Sequence, residues 1–312
     1  MVDGGREKKE DRRKMKEETH CTILRILICA LFVCAGLAFG QDSTQILFQD
    51  VAWAPDGNSI YFSAIRHKPD WSDYNDTLWG IYKINSDGTG IKFIGKRMLF
   101  VAANPDGKTL AAGFAMGMLR HIVTIDSAGQ VTDITAKAGI GDSPAWSPDG
   151  KQLCFTSIRN GTRDIFICDR DGSNIRKLTS SDGAKPFNPQ WSPDGKHILY
   201  FLDKGDRKDQ VYVIPVEGGK ATNLTRDTLL NIYPGWRPDG KIIYSRLTHK
   251  SAEIVVTDLK GKSHKVVPHI ASNFARVSPD GKQIAFTSSE QGLCVCDLKG
   301  KNIRIVTNTI TR

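Results

Sequence analysis

The chain has 312 residues, of which 40% are hydrophobic and 25% charged, and its formal net charge at pH 7 is +9. That is enough apolar material for a large core, as a single domain if the domain is a propeller or barrel. In an exported chain the positive charge argues against nucleic acid and leaves anionic glycans, membrane surfaces, an acidic protein partner or simply a soluble basic surface.

The first 40 residues differ from the rest. Residues 1–20 are mostly charged, and Ile26 to Phe39 is an apolar run of about 14 residues, short of the roughly 20 a membrane-spanning helix needs. Ala38-Phe39-Gly40 puts small residues where a signal peptidase cuts. The reading is a signal peptide over 1–40, cleaved before Gln41, and a periplasmic or secreted product. Residues 26–39 anchor the chain in a membrane if they are not removed. The charged leader is long for a signal, and Met15-Lys16 makes a tidier start, which leaves open that residues 1–14 are a mis-assigned extension. Cys29 and Cys34 follow Ile28 and Val33, where a lipoprotein signal wants a small residue. Without residues 1–40 the chain keeps 35 Lys/Arg against 28 Asp/Glu.

From about Thr44 onward the pattern is all strand. Pro-Asp-Gly occurs six times, with aspartates at Asp56, Asp106, Asp149, Asp194, Asp239 and Asp280, spaced 50, 43, 45, 45 and 41 residues apart. A period of about 40–45 residues is the signature of a propeller blade. Ser-Pro-Asp-Gly reads as a type I turn. Ser can hydrogen-bond its own backbone, Pro pre-sets φ, and Gly accepts positive φ. These aspartates are therefore structural. Apolar runs flank each turn, making a hairpin. A second Gly turn follows in every repeat, at Gly88, Gly129, Gly172, Gly219, Gly261 and Gly300. The expected fold is all-β: a six-bladed β-propeller of four-stranded antiparallel blades spanning 41–312. The blades cover about 45–95, 98–136, 141–180, 184–225, 229–268 and 271–308. Strands sandwiched between neighbouring sheets are apolar on both faces. Ile46-Leu47-Phe48 could complete blade six or begin blade one.

Two residues before the turn proline stand Trp53, Trp146, Trp191 and Trp236. They read as packing between blades or as a row of ligand-stacking aromatics. Cys154 and Cys168 fall opposite each other if the intervening loop spans about 159–163, which makes a cross-strand disulfide conceivable in an oxidising compartment. Cys294 and Cys296 share one face of a strand and do not favour a mutual bond. Asp169-Arg170-Asp171-Gly172 lacks the full ligand spacing of a calcium loop and reads as a turn.

The unit Trp146-Ser147-Pro148-Asp149-Gly150-Lys151, then Ser157 with Arg159, Ile165-Phe166-Ile167, Asp169-x-Asp171-Gly172 and Leu178-Thr179 resembles the repeat of the TolB-like propellers. Those are bacterial periplasmic proteins related to the propeller domains of prolyl-oligopeptidase-type peptidases. The resemblance covers about residues 45–308. It does not extend to the N-terminal α/β domain or the TolA-binding segment of TolB, since about five residues separate Gln41 from the first strand. No Gly-x-Ser-x-Gly motif of the peptidase relatives is present.

The loops between second and third strands are longer and more varied than the turns, so function is expected on their face. They carry Arg66, His67, Trp71, Tyr74, Arg159, Arg163, Lys204, Arg207 and His249. Arginine offers bidentate donors to carboxylate or phosphate, and Trp71 and Tyr74 could stack on a sugar ring or fill a partner's pocket. The function read from this is a non-catalytic, exported protein–protein interaction scaffold of the cell envelope. It needs no cofactor and takes an envelope protein partner, with an anionic glycan or membrane surface as other ligands. The alternative is a metal-assisted lyase or hydrolase on uronic-acid oligosaccharides. Some lyases of similar fold use such a metal, here with His67 and His249 among the ligands.

Overall fold

The computed structural model describes residues 44–310, apart from 69, 71, 74, 117–118, 136–139, 160, 181–182, 207, 249–250 and 268–271. The expected signal over 1–40 lies outside the described residues, as do Trp71, Tyr74, Arg207 and His249.

The described residues form six four-stranded antiparallel sheets, each built from consecutive strands. The first comprises β1 (Gln45–Trp53), β2 (Ser59–His67), β3 (Gly80–Asn85) and β4 (Lys92–Lys96). The second comprises β5 (Met98–Ala103), β6 (Leu110–Met116), β7 (Leu119–Ile125) and β8 (Val131–Asp133). The third comprises β9 (Ile140–Trp146), β10 (Gln152–Arg159), β11 (Thr162–Asp169) and β12 (Arg176–Lys177). The fourth comprises β13 (Lys185–Trp191), β14 (His197–Asp203), β15 (Gln210–Pro215) and β16 (Thr222–Asn223). The fifth comprises β17 (Leu230–Trp236), β18 (Ile242–Leu247), β19 (Ala252–Thr257) and β20 (Ser263–Val267). The sixth comprises β21 (Ser272–Val277), β22 (Gln283–Ser288), β23 (Gly292–Asp297) and β24 (Arg304–Thr307). Ile46-Leu47-Phe48 pairs with β2 and so belongs to blade one. The one helical turn among the described residues is the 3-10 segment Asp76–Leu78.

Each turn is made by its own side chains. Gly150 N–H donates to the Ser147 carbonyl at 2.9 Å, and Gly150 has φ +69°. The Ser147 hydroxyl donates to Asp149 Oδ1 at 2.6 Å and accepts from Gln152 N–H at 2.9 Å. It thus bridges the turn, tying its first residue to the backbone of the strand that follows. Ser192 and Ser278 repeat this arrangement. The Ser147 hydroxyl and the Lys151 amide hold the Asp149 carboxyl below the usual range.

The core lies between blades. Six apolar clusters fill the six interfaces, including the seam where blade six meets blade one. Consecutive residues serve opposite neighbours: Ile165 and Ile167 face blade four, while Phe166 and Cys168 face blade two. Burying one such side chain is worth about 1.5–3 kcal/mol, so strands apolar on both faces stabilise two interfaces at once.

That alternation removes the conceivable Cys154–Cys168 bond and leaves the described cysteines as buried apolar residues. Arg159 pairs with Thr162, a tighter loop than 159–163, which sets Cys154 against Ile167 and Cys168 against Leu153. An offset of one residue sends the two thiols to opposite faces of the sheet, one into each interface. All four described cysteines are free and buried. Burial pushes the thiols of Cys168 and Cys296 up to about 12 and that of Cys294 up to about 11. Mass-mapped alkylation of the native protein should therefore leave Cys154, Cys168, Cys294 and Cys296 unmodified until denaturant is added. Labelling at native rates comparable with a free thiol would contradict the packing.

Candidate functional site

The innermost strand of every blade carries a bulge. The residue in it has positive φ without being glycine: Asp50 (59°), Phe100 (57°), Ser143 (53°), Asn188 (49°), Tyr233 (53°) and Phe274 (53°). Each stands six places before its turn aspartate. At such bulges the ladder is locally broken and the strand twists more strongly, as the register shifts show in all six blades. Bulky residues in this region cost about 1–3 kcal/mol, so the surrounding packing must over-determine them. All six are buried except Tyr233, which is partly exposed and stacks on Phe274 with ring centroids 3.7 Å apart.

Toward the turns, the inner strands open into a funnel of about 390 Å³. Its deep end is lined by Asp50, Phe100, Ser143 and Asn188, and its wall includes Trp53, Trp146, Trp191 and Trp236. Turn prolines Pro105, Pro148, Pro193, Pro238 and Pro279 border the mouth. Each tryptophan also packs in an interface cluster. Trp53 Nε1 donates to the Arg276 carbonyl at 3.0 Å, and Trp236 Nε1 to the Gln190 carbonyl at 3.2 Å, each across a blade boundary. Trp146 Nε1, Trp191 Nε1 and Asp50 Oδ2 are buried with no protein partner among the described residues.

Asp50 and Arg276 face each other electrostatically in the funnel. Burial pushes the Asp50 carboxyl up to about 7, against the pull of the Arg276 guanidinium and of the Val101 and Val51 amides. Burial likewise lowers the Arg276 pKa, and Asp50 opposes that fall. The nearby Asp142 is already held by Arg120 at 3.0 Å.

The funnel opens on the face of the Pro-Asp-Gly turns. The loop residues named from the sequence stand on the opposite face. Arg66 is exposed and its Nη2 donates to the Ile310 carbonyl at 3.2 Å. His67 is buried, with Nδ1 2.7 Å from the Lys68 carbonyl, and burial lowers its pKa. Arg159 lies 4.4 Å from the centre of the Phe166 ring, and Arg163 lies 4.7 Å from that of Phe187 on the next blade. Lys204 is exposed, 5.5 Å over the Tyr212 ring. No group of three or more His, Cys, Asp or Glu side chains placed to hold a metal occurs among the described residues. Asp169 and Asp171 are turn residues, and Arg170 between them pairs with Asp106 of blade two at 2.9 Å.

The funnel was not named from the sequence. Its signal was positional: counting back six and four places from each turn aspartate finds Asp50 and Arg276, the charged residues at those two offsets.

Fold and site together define a six-bladed propeller with an axial funnel. The family model described as the TolB β-propeller domain matches residues 98–309. The chain belongs to that family. It is 28% identical over 152 residues to an uncharacterised protein of Agrobacterium fabrum, covering 44% of this chain and 50% of that one. A 38-residue stretch, 12% of this chain and 8% of the other, is 50% identical to the Tol-Pal system protein TolB of Syntrophus aciditrophicus. The crystal structure of TolB from Acinetobacter baumannii superposes with a TM-score of 0.62 at 22% identity, over 85% of this chain and 64% of that chain. An oligogalacturonate lyase in complex with manganese superposes with a TM-score of 0.51 at 15% identity, over 82% and 90% of the two chains. These superpositions show the fold. The chain spans about half the length of its Agrobacterium relative and less than two thirds of the A. baumannii TolB.

Proposed function

We propose that this protein is an exported, non-catalytic TolB-like propeller that serves as a protein-interaction scaffold in the cell envelope, and that its partner docks at the axial funnel. The family membership supports an interaction role. The carrying observation is the funnel itself: four tryptophans and two arginines, Arg237 and Arg276, converge on one concave surface. Trp and Arg are the residues over-represented where partners bind most strongly. Arg159 and Arg163 support the opposite face less, because both guanidinium groups lie on aromatic rings of the protein. Arg66 and Lys204 stay available there as secondary contacts.

Ala103→Trp tests the assignment. It gives blade two the residue that four other blades carry at the same offset, so the fold should tolerate it while the funnel narrows. The expected result is that an envelope protein captured by the wild type is lost with Ala103→Trp and kept with the double variant Arg66→Ala, Lys204→Ala. The reverse pattern would move the docking face to the loops.

A further inference from the structure

Four places before the turn aspartate, five blades carry Ala52, Ala102, Ala145, Gln190 and Gly235. Blade six carries Arg276. Its side chain reaches toward blade five, where Nη1 donates to the Tyr233 carbonyl at 3.3 Å and also to the Ala275 carbonyl of its own strand at 2.9 Å. One nitrogen is thus fixed by two acceptors, while Nε and Nη2 make no hydrogen bond to a described residue. The residue is half-buried in the funnel wall. Gly235 leaves room for it: a Cβ there would stand 3.0 Å from Arg276 Nη1. A guanidinium locked in orientation with two free donors is a fork for a carboxylate.

The shape of the cavity narrows the source of that carboxylate. Its volume of about 390 Å³ sits at the small end of ligand pockets, roughly 300–1,000 Å³, with room for a few residues. Phe100, Ser143 and Asn188 at its deep end are themselves buried. A cavity this small suits a chain end better than an internal segment, which needs room both to enter and to leave. Resting on the funnel as the docking site, we propose that Arg276 anchors the C-terminal carboxylate of a partner protein whose last residues enter the funnel.

Asp50 makes the binding depend on protons. The charged groups facing it are Arg276 from β21 and Asp142 from β9, and Arg120 of β7 already holds Asp142. Asp50 Oδ2 is buried with no hydrogen-bond partner among the described residues. A second carboxylate arriving at Arg276 raises the cost of a charged Asp50. Asp50 therefore takes a proton from solvent as the peptide binds. Its carboxyl titrates near 7 in the free protein, so affinity should fall as pH rises through about 7.

The experiment titrates the full chain with the acetylated tri-alanine peptide bearing a free C-terminus, the same peptide amidated, and amidated acetyl-Ala-Glu-Ala, following tryptophan fluorescence and calorimetry. The free acid should bind at pH 6 at least about tenfold more tightly than either amide. Arg276→Gln should abolish that preference, and Gly235→Ala, which keeps Arg276 but crowds it, should reduce it. Between pH 6.5 and 8.5 wild-type affinity should fall about tenfold, and Asp50→Asn should flatten the profile. Equal binding of acid and amide, binding of the glutamate peptide alone, or no binding of any of the three overturns the anchor. If the partner is still captured in a funnel-dependent way, the docking assignment survives that failure.

Discussion

Gly300→Ala should cost about 4 kcal/mol or more, enough to threaten the fold of a typical domain. Gly300 turns the chain between β23 and β24 with φ +70°, and a Cβ there would fall 1.8 Å from the Val266 carbonyl oxygen of blade five. Two penalties coincide. A left-handed conformation costs an L-residue about 1–2 kcal/mol, and the clash is with backbone that cannot rotate away. The same obstacle recurs around the ring: an added Cβ would fall 2.2 Å from Ile134 O at Gly172, 3.2 Å from Leu224 O at Gly261 and 2.9 Å from Val306 O at Gly88. Gly129 and Gly219 occupy corresponding turns with nothing within 4 Å. Gly129→Ala is thus the control, expected to lose only the conformational part. Denaturant midpoints separate the two variants, and equal losses would show that the carbonyl contact is irrelevant.

Asp50→Asn should stabilise the protein at pH 8 and do progressively less as pH falls toward 4. Burial raises the folded-state carboxyl from 3.8 to about 7. Between those values the folded wild type binds more protons than the unfolded chain, so its stability falls as pH rises across that window. The shift caps the effect at about 4 kcal/mol. The new amide places a donor where Oδ2 had no partner, which returns about 1–3 kcal/mol of that. A net gain at pH 8 that disappears by pH 4 is expected in thermal melts. A variant that loses stability equally at both values would mean that Asp50 is charged and well paired in the fold.

The fold was legible because its turn chemistry is local. Ser, Pro, Asp and Gly act within a few residues, and their spacing repeats, so blade number and strand order followed from counting. The funnel was less legible because its constant feature is backbone geometry. Asp50, Phe100, Ser143, Asn188, Tyr233 and Phe274 share a conformation and no side-chain chemistry, so no motif marks them. Loop length pointed to the other face, but length is blind to what a neighbouring blade offers. Nothing near Arg163 in sequence announces that Phe187 will lie beneath it. Cys168 shows how fine the limit is, since one residue of loop length moved it to the other interface.

The junction between blades six and one is made from the same parts as the others. Trp53 bonds across it as Trp236 does between blades four and five, and Gly88 meets Val306 there as Gly261 meets Leu224. Among the described residues no sheet combines strands from distant parts of the chain. The circle therefore has no privileged cut. Joining Ile310 to Gln45 through a short linker and opening the chain between Leu224 and Leu230 should give a permuted protein with the same ring, whose blades are merely counted from a different start.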